Sequence, residues 1–252
     1  TAKRGFIMET ENTVCLVRRE GSSLILQINR PEDANRITTD TMNALIHHME
    51  QAAEDSTIHS IIITGNREHF CCGGRVDPAA DAQTKAAYSQ AIMNLQKTMK
   101  KSPVPIIAAI EGDCKAGGND ILACSDIVVA REGVQFGFPE ITYGSFPVMV
   151  IINMLDLIPQ KKLLPYFYTG ECFNAHTAEQ CGMVTRVASD EEFWPVVRQY
   201  ADALDKVTTK TLAIGRSTFY GMLPLNWEER VALGNETLRN VWKEQAASGK
   251  KY

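Results

Sequence analysis

Apolar and polar positions alternate early in the chain. Val14 to Arg18 reads as a short strand, and Ser23-Leu-Ile-Leu-Gln-Ile-Asn29 alternates into a second before Arg30-Pro31-Glu32-Asp33 supplies turn residues, so the chain is predicted to open with a hairpin. At Thr38 the period changes. Thr38-Thr-Asp-Thr41 offers a helix N-cap, and Met42, Leu45, Ile46 and Met49 follow at helical spacing, predicting an amphipathic helix to about Ala53. Three short β-branched runs, Ser60 to Thr64, Val104 to Ile110 and Asp126 to Ala130, have the pattern of buried sheet strands. A helix-favouring stretch, Thr84 to Lys100, separates the first two, and a glycine-bearing segment with a short helix, Gly117 to Cys124, separates the last two. Strands alternating with helices predict an α/β fold. From Leu204 onward the pattern is mainly helical, clearest over Trp227 to Trp242, and no Pro/Gly/Ser-rich linker or internal repeat divides the chain.

With 252 residues, 44% hydrophobic and 22% charged, the chain is long enough for one full core and is too apolar and too evenly charged for disorder. A formal charge of -4 lacks the basic footprint of a nucleic-acid binder. No apolar run reaches the roughly 18 to 20 residues of a bilayer span, and the N-terminal stretch has no apolar signal core. The expectation is a soluble protein of the cytoplasm or an organelle matrix, without nucleic-acid or membrane partners. Seven cysteines, an odd number without framework spacing, predict reduced buried thiols rather than disulfides. Met8, preceded by Thr1 to Ile7, is a candidate for the natural start.

Two glycine-bearing turns follow predicted strands: His69-Phe-Cys-Cys-Gly-Gly-Arg75, and Gly112 to Asp120 with Ala116-Gly-Gly118 inside it. Glycine lets a backbone N–H approach a ligand, and a helix start leaves its first N–H groups unpaired, so the two turns are able to aim two donors at one oxygen. Equally, both can be tight turns that the fold itself requires. Neither matches a phosphate loop or a dinucleotide fingerprint, and no metal-ligand spacing occurs. His47 and His48 fall on a helix as surface residues. Cys71-Cys72 has no patterned histidine partner to make it a nucleophile, which favours structural thiols.

The runs Phe70-Cys-Cys-Gly-Gly74, Pro103 to Gly112, Ala116-Gly-Gly118, Ala123 to Ala130, Gln135-Phe-Gly-Phe-Pro-Glu140, Tyr168-Thr-Gly170 and Ala178 to Val184 resemble the crotonase (enoyl-CoA hydratase/isomerase) superfamily in order and spacing. The resemblance runs from about Leu24 to Val187. It implies the α/β crotonase fold, with repeated ββα units forming a spiral core over 8–200. It also implies a C-terminal helical region over 201–252 that joins subunits into a homotrimer or a dimer of trimers. It implies an acyl-CoA thioester substrate, with coenzyme A part of that substrate and no separate cofactor or metal.

Carried over by position, the oxyanion-hole donors are the backbone N–H groups of Cys72 and Gly117, and the catalytic carboxylates are Asp120 and Glu140. Asp33, Ala34, Asn35, Cys72, Gly73, Gly74 and Arg75 match CoA-binding positions, and Phe146, Pro147, Val148 and Met149 match the acyl pocket. Paired carboxylates suit hydration of a 2-enoyl-CoA, where one group takes a proton from water and another protonates the α-carbon. Hydration is the leading expectation. Asp120 is one methylene shorter than the hydratase glutamate, and Val148 stands where dienoyl-CoA isomerases have a further aspartate. Double-bond isomerisation through Glu140 alone survives both departures. The resemblance also admits an acyl-carrier-linked dehydratase or decarboxylase, and a non-catalytic crotonase-like binding protein.

Overall fold

The computed structural model describes residues 14–248, and the candidate start at Met8 and the far ends of the two expected regions lie outside the described residues. Cys15–Glu20 (β1) and Ser23–Ile28 (β2) form the predicted antiparallel hairpin, with Cys15 opposite Ile28. β2 then pairs in parallel with Ser60–Thr64 (β3), followed by Ile106–Ile110 (β5), Ile127–Arg131 (β7) and Arg186–Ala188 (β10), giving a six-stranded sheet in the order β1-β2-β3-β5-β7-β10. Parallel neighbours require crossovers that cover both faces, which is why every residue of β3 and β5 is buried. Ile61, Ile63, Ile106, Ala108 and Ile110 enter the main core. Their alternates Ile62, Ile107 and Ala109 face Phe193, Val196, Val197 and Ala201 of helix α7 (Phe193–Asp205). Burying each such isoleucine contributes about 1.5–3 kcal/mol.

A second sheet, made of strands too short to show any period in the sequence, runs beside the first. His69–Cys71 (β4), Asp113–Lys115 (β6), Gln135–Gly137 (β8) and Phe173–Asn174 (β9) are ordered β4-β6-β8-β9. The chain repeats one unit: a long strand in the first sheet, a short strand in the second, then a helix. β3 and β4 lead to α2 (Ala82–Lys101), β5 and β6 to α3 (Gly118–Ala123), and β7 and β8 to a 3-10 turn, Pro139–Tyr143. This repetition sets β4, β6 and β8 side by side, so segments far apart in the chain leave the small sheet at one edge.

Local chemistry starts the helices where the sequence places them. Thr38 Oγ1 accepts from the Thr41 N–H at the start of α1 (Thr39–Glu54), and Asp81 Oδ1 accepts from Thr84 at the start of α2. Three helices without a clear sequence signal follow the 3-10 turn: α4 (Val148–Met154), α5 (Gln160–Thr169) and α6 (Ala175–Cys181). The C-terminal pair is α8 (Thr209–Met222) and α9 (Trp227–Ser248). The buried Arg216 of α8 ties this pair to the core, its Nε 2.8 Å from Asp126 Oδ2 and its Nη1 2.9 Å from the Lys100 carbonyl. Phe219, Trp227 and Trp242 of the same pair are exposed. None of the seven cysteines, all among the described residues, is in a disulfide, and five are buried. No helix among the described residues is long and apolar enough to cross a membrane.

Candidate active site

Cys71 of β4 lies opposite Cys114 of β6, so Gly73-Gly74 and Ala116-Gly117 leave the small sheet together. A Cβ on Gly118 would stand 2.2 Å from the Cys71 carbonyl oxygen, so only glycine lets α3 start this close to β4. A Cβ on Gly117 would stand 3.5 Å from the Gly74 nitrogen, which places the two backbones against one small space.

Strand pairing decides which N–H groups remain available there. The Cys72 N–H donates to the Ala34 carbonyl at 3.1 Å and is therefore not a free donor, which corrects the expectation that it serves the oxyanion hole. Two residues on, the bridge between Ile37 and Gly74 uses the Gly73 carbonyl and the Arg75 N–H and leaves the Gly74 N–H pointing away. The N–H groups of Gly74 and Gly117 have no acceptor among the described residues. The Gly117 N–H expected as a donor is free, and the free N–H beside it is that of Gly74.

Both glycines line a cavity of about 650 Å³, together with Cys72, Gly73, Glu140, Phe146, Pro147, Val148 and Met149. The expected acyl-pocket residues and the glycine turn are thus brought together at a volume suited to a small-molecule ligand. Arg36, Tyr88, Ile92 and Tyr143 also line it, and sequence reasoning missed them. For Tyr88 and Ile92 the signal was present, since they are one helical turn apart on a stretch already predicted as helix.

Glu140 is the second residue of the 3-10 turn after β8. Phe138 and Phe146 flank it and pack on Phe167 of α5, with ring centroids 4.4 and 5.9 Å away, which fixes the turn over an aromatic base. Glu140 Oε2 is buried without a hydrogen-bond partner among the described residues. Burial pushes this carboxyl above its ordinary pKa, partly offset by its own backbone N–H.

Asp120 is placed differently. It is 7% exposed and does not line the cavity. Its Oδ1 accepts from Asn153 Nδ2 at 2.8 Å and from Gln96 Nε2 at 3.1 Å, and its Oδ2 accepts from Gln96 Nε2 at 2.9 Å. The same Gln96 nitrogen is 3.2 Å from the Met149 carbonyl. Asp120 therefore fastens α2, α3 and α4 to one another behind the cavity wall. Burial pushes its carboxyl up, and the hydrogen bonds from Asn153 and Gln96 and the nearby Lys100 charge pull it back. The structure does not bring Asp120 and Glu140 together in the cavity.

The sequence matches the model of the enoyl-CoA hydratase/isomerase family over residues 18–242. The chain belongs to this family. Enoyl-CoA hydratase EchA19 of Mycobacterium tuberculosis is 28% identical over 195 residues, covering 75% of this chain and 73% of that protein. The 2,3-dehydroadipyl-CoA hydratase of Escherichia coli is 30% identical over 177 residues, 68% of each chain. Human enoyl coenzyme A hydratase domain-containing protein 3 shares the fold, with a TM-score of 0.87 at 21% identity over 90% of this chain and 91% of that one. The two-sheet ββα spiral is thus the crotonase fold expected from the sequence.

In this enoyl-CoA hydratase/isomerase family member, the loop matched to CoA binding is itself part of the site's scaffold. Ala34 and Asn35 adopt left-handed backbone angles, φ 51° and 53°. Asn35 is fully buried, its Oδ1 accepting from the Arg30 N–H at 2.8 Å and its Nδ2 donating to the His69 carbonyl at 2.7 Å. Its side chain pins the loop to β4, which leaves the backbone of Asp33, Ala34 and Asn35 as the part of this loop matched to CoA. Asp33 and Arg75 pair with each other at 3.6 Å outside the cavity lining, and Arg36 supplies a cation within it. Cys72 does have a histidine neighbour, with His69 Nδ1 3.5 Å from its sulfur. Burial nevertheless pushes the thiol pKa up, which keeps it protonated and poorly nucleophilic. Among the described residues, no three His, Cys, Asp or Glu side chains converge to hold a metal ion.

Proposed function

We propose that this chain is an enzyme that binds acyl-CoA thioesters and shifts a double bond through an enolate. The Gly74 and Gly117 N–H groups hold the thioester oxygen, and Glu140 carries the proton. The observation that carries this reading is Glu140 itself: among the residues lining the cavity it alone has a carboxyl group, and one of its oxygens is buried and unpartnered. Glu140 takes a proton from the α-carbon of a 3-enoyl thioester, and the electron pair moves onto the thioester oxygen. The same carboxyl then returns the proton at the γ-carbon as the electrons flow back, giving the 2-enoyl product with no change of mass. Two preorganised donors at the developing charge supply a few kcal/mol, about 10²–10³ in rate for each one removed. Phe146, Pro147, Val148 and Met149 form an apolar wall that suits an acyl chain.

Hydration of a 2-enoyl-CoA is the second reading. It is favoured by the hydratase names of the relatives at 28% and 30% identity, and it needs the Asp120 carboxyl released from Gln96 and Asn153. The exposed Phe219, Trp227 and Trp242 support the expected homotrimer or dimer of trimers. The test is an assay of purified protein with 3-hexenoyl-CoA and crotonyl-CoA, followed by enoyl absorbance and product mass. Conversion of 3-hexenoyl-CoA without mass change, lost in Glu140→Gln, is expected. Gain of water by crotonyl-CoA, lost equally in Glu140→Gln and Asp120→Ala, would replace isomerisation by hydration.

A further inference from the structure

We propose that the Tyr88 hydroxyl donates a third hydrogen bond to the thioester oxygen, beside the Gly74 and Gly117 N–H groups; this rests on the oxyanion-hole reading above.

Tyr88 reaches the cavity from α2, one turn before Ile92, and its ring packs against the main core. A Cβ on Gly74 would lie 1.7 Å from the Tyr88 hydroxyl oxygen and 3.0 Å from its Cζ. The phenol head therefore occupies the space that a side chain at position 74 would take, with its oxygen seated against the Cα of the residue whose N–H is free. Glycine at 74 and tyrosine at 88 are one structural unit, because any larger residue at 74 would displace the hydroxyl.

The chemistry of the group suits a donor. Burial pushes the phenol up to about 12, so the O–H keeps its proton throughout the neutral range. The nearby Arg75 backbone N–H donates to the Ile37 carbonyl at 2.8 Å and so does not tie up the phenol head. The O–H has no acceptor among the described residues, and its burial removes it from solvent, where a hydrogen bond to a developing negative charge is strengthened. A donor without a native acceptor, beside a backbone donor without a native acceptor, is the arrangement expected around a single missing oxygen.

The experiment uses trans-2,4-hexadienoyl-CoA bound to full-length Glu140→Gln protein, a background that removes the proton carrier, and reads the ligand's absorbance maximum and thioester carbonyl stretch. Polarisation of the carbonyl should move the absorbance to longer wavelength and lower the stretch. Adding Tyr88→Phe should shrink both changes while the dissociation constant moves less than about fivefold and the melting temperature is retained. With Glu140 intact, Tyr88→Phe should lower kcat about 10- to 100-fold with little change in KM and no change in the pH profile, because the phenol does not ionise in that range. A ligand shift identical with and without the hydroxyl would overturn the role of Tyr88 and leave it as cavity wall. Binding with no shift in the Glu140→Gln protein itself would overturn the oxyanion reading as well.

Discussion

Replacing Asp120 by alanine separates an anchor from a catalyst. The carboxylate receives three hydrogen-bond contacts from two half-buried amides, those of Asn153 and Gln96, at 2.8 to 3.1 Å. Alanine would leave the Asn153 amide without this acceptor and the Gln96 amide with only the Met149 carbonyl at 3.2 Å. An unsatisfied buried polar group costs about 1–3 kcal/mol, so the gross loss for these half-buried amides is about 1–4 kcal/mol. Part of this is returned, because burial already disfavours the charged carboxylate. A net loss of about 1–3 kcal/mol is expected, a sizeable share of the roughly 5–15 kcal/mol typical of a folded domain. Urea titration should show a lower midpoint with an unchanged slope. Turnover per folded molecule should fall only about 3- to 10-fold, through drift of α4, whose first turn forms the cavity wall. Gln96→Leu should cost less in the Asp120→Ala background than alone, with a coupling of about 1–3 kcal/mol. An Asp120→Ala protein within about 0.5 kcal/mol of wild type but about 10³-fold slower would refute the anchor argument and return Asp120 to the chemistry.

Gly117→Ala should fold normally, since the new Cβ would meet Gly74 and Gly73 backbone atoms at 3.5 to 3.7 Å, ordinary contact distances. The methyl would nevertheless fill the space between the two free donors, so turnover should fall about 10²–10³-fold at an unchanged melting temperature; wild-type turnover would remove Gly117 from the hole. For Glu140 the working form is the charged one and burial raises its pKa, so kcat/KM should decline on the acid side with a midpoint above the ordinary glutamate value. The same shift has a stability counterpart. The folded protein holds the Glu140 proton more tightly than the unfolded chain, so this group's contribution is fully present below the ordinary carboxylate range and is lost as pH rises through the raised value. Glu140→Gln does not titrate there and should gain in urea midpoint relative to wild type as pH rises across that interval. A difference that stays constant with pH would contradict the raised pKa.

The elements legible in the sequence are those whose signal is local. The hairpin at β1 and β2, the Thr38 cap of α1, the helix α2 and the three β-branched runs appear where alternation, capping chemistry and apolar runs place them, because each pattern is written within a few consecutive residues. The strands β4, β6, β8 and β9 have two or three residues each, fewer than one full alternation, so two of them read only as glycine-bearing turns. The ordered motifs from Phe70 to Val184 identified the family and part of the cavity lining, namely Cys72, Gly73, Gly74, Gly117, Glu140 and Phe146 to Met149. They pointed to the Cys72 N–H, which is taken by Ala34, and passed over the Gly74 N–H, which has no acceptor among the described residues.

The chain's own order of residues determined the α/β class, the crotonase family and the presence of Glu140, Gly117 and the apolar Phe146–Met149 segment, because these depend on residue type and spacing. Which groups are free to act was decided only by the tertiary structure. Pairing with Ala34 takes the Cys72 N–H out of use and leaves that of Gly74, and the amides of Gln96 and Asn153 hold Asp120 away from the cavity that Glu140 enters. Tyr88 arrives against Gly74 from a helix that starts eight residues further along the chain. A hydrogen-bonding group is available only if no distant segment already satisfies it, and that is settled when strands and helices pack.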